Sequence, residues 1–289
     1  MTDEPMFKEI NEAKANLDDI YDQPDPRAYF RQLKEFNYSI PGAAKPIFQK
    51  LIDHLQHHGD DSIHILDLGC SYGVNAALLK HDLLMTDLYQ HWGQEMLAGN
   101  SPEDIVERDL HYFANLEEAK NIEVTGLDQS ENAIKFAEDI GLLDEGLAVN
   151  LETELLPGSA KDDLATVDLV ISTGCVGYVT EKTFDRLLPA VTQGHSPWMA
   201  NFVLRMFPFE HIEKTLDAQG YVTEKLEDHT FIQRQFASDE EQEQVLERLH
   251  EQGINPTGKE AEGHLLAEFY LSRPRNEAAG LTVEQLVFA

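Results

Sequence analysis

The stretch at residues 63–79 (IHILDLGCSYGVNAALL) constrains the fold more than any other part of the chain. An apolar run ends in the carboxylate of Asp67, passes through a turn bounded by Gly69 and Gly73, and continues as a helix-forming apolar sequence. Strand, tight turn and helix in that order place backbone N–H groups and a helix N-terminus at a strand's carboxyl end. Open α/β sheets bind their ligands there.

The rest of the chain repeats the alternation. Residues 122–128 read as a strand ending in Asp128, followed by a helix over 130–141. Further strands are expected at 147–152, 167–173 and 198–206, with helices at 183–191 and 209–218. Residues 221–227 and 230–236 read as extended, 239–252 as an acidic helix and 265–272 as a last strand. Such alternation implies an α/β fold whose mostly parallel sheet is covered by helices on both faces.

Two segments stand outside that pattern. Residues 1–60 read as a helical cover, with Phe7, Ile10, Leu17 and Ile20 near helical spacing. Prolines at 24 and 26 break it, a short helix is expected over 27–34, a second break over 36–42, and a helix over 43–58. His54, His57 and His58 have a spacing that holds metals, but near a helix C-terminus solvated histidines are the preferred reading, so no metal is expected. Residues 85–120 form an insertion with helix starts at 85–87 and at Ser101-Pro102, the second carrying Ile105, Leu110, Tyr112 and Phe113 as its apolar side. An insertion of this size carries a lid or a subunit contact, which leaves a homodimer open, or is a packed surface excursion. The expected division is cover at 1–60, core domain at 61–273 and C-terminal tail at 274–289.

The charge narrows the partners. With 53 acids against 22 bases the formal net charge is −31, and no basic run interrupts it. Such a surface repels phosphate backbones, so nucleic acid is an unfavoured partner. The acids are spread along the chain, which fits a solubility surface or adaptation to high salt. No apolar run approaches the roughly 20 residues that span a bilayer, so no membrane partner is expected. The two cysteines, Cys70 and Cys175, rule out a disulfide framework and suit a reduced cytoplasmic setting. Placed at the ends of neighbouring strands, they are expected to be buried, inert thiols, with a redox pair as the alternative.

A dinucleotide site requires a glycine where Ser71 stands and an acid ending the next strand about 20 residues on; here the turn has serine, and the next strand-ending acid, Asp128, lies beyond the insertion. Asp67-Leu68-Gly69-Cys70-Ser71-Tyr72-Gly73 instead resembles the first motif of the class I S-adenosylmethionine-dependent methyltransferases. Asp128, in Gly126-Leu127-Asp128-Gln129-Ser130, matches the second acid of that superfamily. The resemblance covers roughly residues 45 to 273, without the insertion. It implies a Rossmann-like, seven-stranded sheet and S-adenosylmethionine as cofactor, with S-adenosylhomocysteine as its product. It further implies that Asp128 binds both ribose hydroxyls, as a carboxylate can by short charge-assisted bonds. Gly69, Cys70, Ser71 and Gly73 would make room for the methionine portion, with Asp67 near its amino group. Asn150 and Glu152 are the alternatives for reading adenine, and Ser172, Thr173 and Gly174 are expected beside the methionine end.

Neither the N/D-P-P-Y/F signature of base amino-group methylation nor a Pro-Cys follows the fourth strand. With the charge, this favours in-line methyl transfer to an oxygen, nitrogen or sulfur of a small acceptor. A protein acceptor and a non-catalytic cofactor-binding protein are the alternatives. In many small-molecule members of the superfamily, N-terminal helices close over the site, a role suited to Arg27, Tyr29, Phe30 and Tyr38. Each of these stands against plain packing of the cover. Arg205 is a candidate for an acceptor carboxylate, His111 and Tyr112 for base or lid residues, and Tyr178 for a substrate-facing residue.

Overall fold

The computed structural model describes residues 18–58, 62–119 and 121–288. Among the described residues eight strands form one sheet: β1 (Ile63–Leu68), β2 (Ile122–Asp128), β3 (Glu145–Ala148), β4 (Leu169–Thr173), β5 (Trp198–Leu204), β6 (Tyr221–Lys225), β7 (Phe231–Gln235) and β8 (His264–Pro274). Their order is β3-β2-β1-β4-β5-β8-β6, with β7 also paired to β8. The first five are mutually parallel, and β8 runs antiparallel to its neighbours. The chain leaves β1 in one direction across the sheet and later fills the other side from β4. The ends of β1 and β4 are thus the topological switch point where such sheets bind ligands. This is the expected Rossmann-like α/β sheet.

The sheet has seven positions rather than eight, because β6 and β7 lie along the same edge of β8. Tyr221 to Lys225 pair with residues 270–274 and β7 with residues 264–267, with Leu226–Thr230 between them. Asp228 adopts a left-handed φ of 62° there, which breaks the strand.

Helices cover both faces. On one side lie α1 (Asp18–Tyr21), α2 (Arg27–Glu35), α3 (Ile40–His58) and α4 (Val74–Lys80). The insertion adds α5 (Met85–Trp92), a 3-10 turn (Glu95–Gly99) and α6 (Pro102–Ala114), and α7 (Glu131–Asp139) follows β2. On the other side lie α8 (Lys161–Leu164), α9 (Glu181–Val191), α10 (Glu210–Ala218) and α11 (Asp239–Glu251). The tail forms α12 (Arg275–Ala278) and α13 (Val283–Phe288), whose Val283, Leu286 and Val287 join the first core against α3. Alternation along each strand divides the apolar residues between two layers: Ile65, Ile171, Ala200 and Phe202 face the first, and Leu66, Val170, Met199 and Val203 the second.

Several boundaries differ from the sequence reading. The break expected at 36–42 ends early, because α3 begins at Ile40 and holds Pro41 in its first turn, where a missing N–H costs nothing. β3 ends at Ala148, so Asn150 and Glu152 belong to the following loop. Leu110 is 44% exposed, because the inner stripe of α6 runs Ile105, Asp109, Phe113. The buried Asp109 carboxylate is met by Trp92 Nε1 at 2.6 Å, His91 Nε2 at 2.8 Å and Arg108 Nε at 2.7 Å. Phe7, Ile10 and Leu17 lie outside the described residues.

Candidate cofactor site

The site grows from the turn after β1. Gly69, Ser71 and Gly73 all adopt left-handed backbone, with φ of 74°, 48° and 74°. A side chain at Gly69 would put its Cβ 2.6 Å from that of Cys175, so this glycine is required by the approach of the β4 loop as well as by the turn. Asp67 is fully buried. Its Oδ1 accepts from Asn75 Nδ2 at 2.9 Å, and the same amide donates to Thr173 Oγ1 at 3.2 Å. Among the described residues its Oδ2 has no hydrogen-bond partner, and neither has the buried Ser71 hydroxyl. Burial pushes the Asp67 carboxyl up to about 7, with Asn75 opposing and Asp128 adding to the rise. Buried polar atoms are otherwise almost always paired, and two orphans at one glycine turn point to a polar group supplied from outside.

Asp128 ends β2 one strand away. Its carboxylate accepts from the N–H of Ser71 at 2.9 Å and of Ser130 at 3.0 Å, one on each oxygen. That leaves a lone pair on each for a pair of hydroxyls. Burial raises its pKa, and the backbone N–H groups hold it down. Ser130 caps α7, accepting from Ala133 N at 3.1 Å, and its hydroxyl donates to Asp22 at 2.8 Å. It is therefore already occupied twice. Gln129 is exposed, and its Oε1 accepts from Asn150 Nδ2 at 3.1 Å.

The structure separates the two adenine candidates. Asn150 stays beside Gln129 at the rim. The carboxylate of Glu152 is filled by Thr180 N at 2.8 Å, Thr180 Oγ1 at 2.8 Å and Thr183 Oγ1 at 2.6 Å, and so builds the start of α9. Ser172 is likewise committed, donating to Asn201 Oδ1 at 2.8 Å. Strand alternation turns it to the face opposite Thr173, away from Asp67.

Arg205 does not stand open to an acceptor. It is buried, donates to Glu260 at 2.5 Å and to the Asn255 carbonyl at 3.2 Å, and lies 3.4 Å from Glu268. His111 is exposed on the last turn of α6, while Tyr112 beside it stacks on His91 at 4.0 Å. Tyr178 is 48% exposed on the loop after β4. Cys70 and Cys175 are both free thiols; burial pushes Cys175 up to about 12 and Cys70 well above its ordinary value, which makes both inert. Among the described residues no group of three or more His, Cys, Asp or Glu is placed to hold a metal, and no helix is long and apolar enough to cross a membrane.

The cover and the insertion meet above the turn in one aromatic wall. Tyr29 packs edge-on to Tyr72 of the turn at 5.6 Å and to Tyr21 at 5.3 Å, and Phe30 stacks on Trp92 at 4.5 Å. Tyr89 of the insertion donates to the Tyr38 carbonyl at 2.6 Å. Burial, reinforced by neighbouring tyrosines, raises the Tyr29 and Tyr38 phenols well above their ordinary value, so both stay protonated and cannot act as bases. Arg27 ties the two segments together, pairing with Asp25 at 2.7 Å and donating to the carbonyls of Leu97 at 2.5 Å and Asn100 at 3.0 Å. The strap at Asp22 and Gln23 crosses the turn: the Tyr72 hydroxyl accepts from Gln23 N at 2.9 Å, and Asn132 Nδ2 donates to the Asp22 carbonyl at 3.1 Å. Sequence reasoning missed Asn75, Tyr72 and this strap. The one available signal was Asn75, a polar residue inside the apolar run of α4.

No protein-family model and no curated protein matches the sequence. Among solved structures, the chain is similar to the plantazolicin methyltransferase BpumL in complex with SAH, with 14% identity over 94% of this chain and 99% of that one and a TM-score of 0.45. It is similar to the plantazolicin methyltransferase BamL in complex with a triazolic desmethylPZN analog and SAH, with 12% identity over 95% and 100% and a TM-score of 0.47. It is also similar to magnesium protoporphyrin IX methyltransferase from Synechocystis PCC 6803 with bound SAM, with 12% identity over 80% of each chain and a TM-score of 0.38. At such identity, residue roles do not pass from one chain to another.

Proposed function

We propose that this protein is an S-adenosylmethionine-dependent methyltransferase acting on a small acceptor. The observation that carries the reading is the buried, unpartnered Oδ2 of Asp67 beside a left-handed glycine turn, with Asp128 at the end of the next strand. Asp128 would accept the two ribose hydroxyls, Asp67 would meet the ammonium group of the methionine portion, and Asn75 holds Asp67 in place. Asn150 and Gln129 offer amides at the rim for the adenine. The bound cofactor supplies a methyl group on a cationic sulfur, so the S–CH3 bond breaks as the bond to the acceptor forms and the acceptor gives up its proton.

The chain's own contribution is alignment and exclusion of water, which the aromatic roof provides. With Tyr29 and Tyr38 protonated, an acceptor that is already nucleophilic suits the site. A site roofed by a strap and two packed segments also favours a small acceptor over a protein surface. Incubation with methyl-labelled S-adenosylmethionine and fractionated cell extract should transfer label to a small molecule with the wild type and not with Asp128→Ala. No labelled product from the wild type in any fraction would sink the reading.

A further inference from the structure

Gln233 sits where strand β7 is irregular. The register of β7 on β8 shifts between Ile232 and Arg234, so Gln233 is the extra residue of a bulge, a device that re-aims a side chain. Its side chain turns toward the loop after β4: a Cβ added to Gly174 would lie 2.2 Å from Gln233 Nε2. Gly174 itself adopts a left-handed φ of 86°, so both backbone and space at this point are fitted to the incoming carboxamide. Gln233 is only 8% exposed, yet its carboxamide makes no hydrogen bond to the described residues. Its backbone is fixed by the cover, through Ser39 N to the Gln233 carbonyl at 2.8 Å, with Gln235 N to the Phe36 carbonyl at 2.7 Å next to it. A carboxamide held this firmly, with no partner among the described residues, has its donors and its acceptor available to a group from outside.

The sheet order says from which side. Asp128 ends β2, the glycine turn follows β1, and Gly174 follows β4, so the strand ends run from the nucleoside toward the transferred group. Gln233 comes to Gly174 from the β8 side, opposite the nucleoside. We propose that Gln233 hydrogen-bonds the methyl acceptor beside the atom that is methylated, and that this acceptor presents a neutral, proton-bearing group such as an amine, hydroxyl or amide. The proposal rests on the methyltransferase reading above. A carboxamide offers two N–H donors and a carbonyl acceptor without charge, which matches such a group. An anionic acceptor would find no free counter-charge in the neighbouring arginines, since Arg205 is held by Glu260 and Arg234 by Glu241 at 2.5 Å.

The test compares the wild type with Gln233→Leu by calorimetric titration of S-adenosylhomocysteine, by thermal unfolding, and by label transfer from S-adenosylmethionine to the active extract fraction. The variant should keep cofactor-product affinity within about twofold, keep its Tm, and lose at least about tenfold in transfer rate. Transfer at the wild-type rate overturns the assignment alone. A fall in transfer that tracks a fall in Tm or in S-adenosylhomocysteine affinity makes Gln233 a packing residue and also overturns it. A wild type that labels nothing removes the methyltransferase reading and this assignment with it.

Discussion

Asp67 and Arg205 are both buried charged groups at the carboxyl ends of adjacent halves of the sheet, and they are built in opposite ways. Arg205 has its charge met by its own fold: Glu260 and the Asn255 carbonyl accept from its guanidinium, and Glu268 lies 3.4 Å from Nε, which makes no hydrogen bond among the described residues. Among the described residues Asp67 has one neutral amide on one oxygen and nothing on the other, and no cation is bonded to it. A buried charge that the chain meets with opposite charges of its own belongs to the architecture. One that the chain leaves half-satisfied, at a switch point and under a roof, is kept for a ligand.

That contrast can be broken by mutation. Arg205→Ala strands the buried Glu260, while Glu268 keeps Lys225 at 2.9 Å, and should cost about 3–5 kcal/mol of stability in chemical denaturation, while the folded fraction binds S-adenosylhomocysteine as the wild type does. A selective loss of acceptor use with stability intact would return Arg205 to the site. Asp67→Asn should do the reverse. The Asp67 carboxyl sits near 7 in the native protein against an ordinary 3.8, so the native state holds the proton more tightly and wild-type stability falls as pH rises between those values, then levels off. The variant lacks that loss. It should gain on the wild type by up to roughly 1.4 kcal/mol per pH unit across the window, while its affinity for S-adenosylhomocysteine drops because the ammonium group has lost its carboxylate. Parallel unfolding curves at pH 4 and pH 8 that show no relative gain would contradict the assignment. Trp92→Phe, a smaller perturbation, removes one of the donors on Asp109 and should cost about 1–2 kcal/mol. Because the insertion and the cover share one core, tryptic cleavage within residues 22–30 should then quicken; a variant that loosens only the insertion would separate the two.

The same contrast shows what a sequence makes legible. The centre of the sheet was readable because β1 and β4 are mainly apolar runs that end beside an acid or a glycine, and the turn because few residues tolerate its backbone. Charge partners were not. Nothing local to Arg205 or Glu152 signals that Glu260, or Thr180 and Thr183, will arrive from other elements, so both looked free for ligands. Gln233 was hidden for a different reason: a bulge shifts which face a residue occupies, and alternation along 230–236 gives no warning of it. The insertion showed its helix starts through Ser101-Pro102. That it would support the cover by stacking Trp92 on Phe30 depended on pairing between segments far apart in the chain.

The central claim is that Asp67, the turn at 69–73 and Asp128 form the nucleoside end of a cofactor site. Calorimetric titration of S-adenosylhomocysteine into the wild type and into Asp128→Ala tests it most directly. The account predicts saturable one-to-one binding to the wild type and a loss of at least about 100-fold in the variant, near 2.7 kcal/mol, measured at a temperature where the variant, which loses its bonds to the N–H groups of Ser71 and Ser130, is still folded. Equal affinity in the two proteins, or no binding by the wild type, would contradict it.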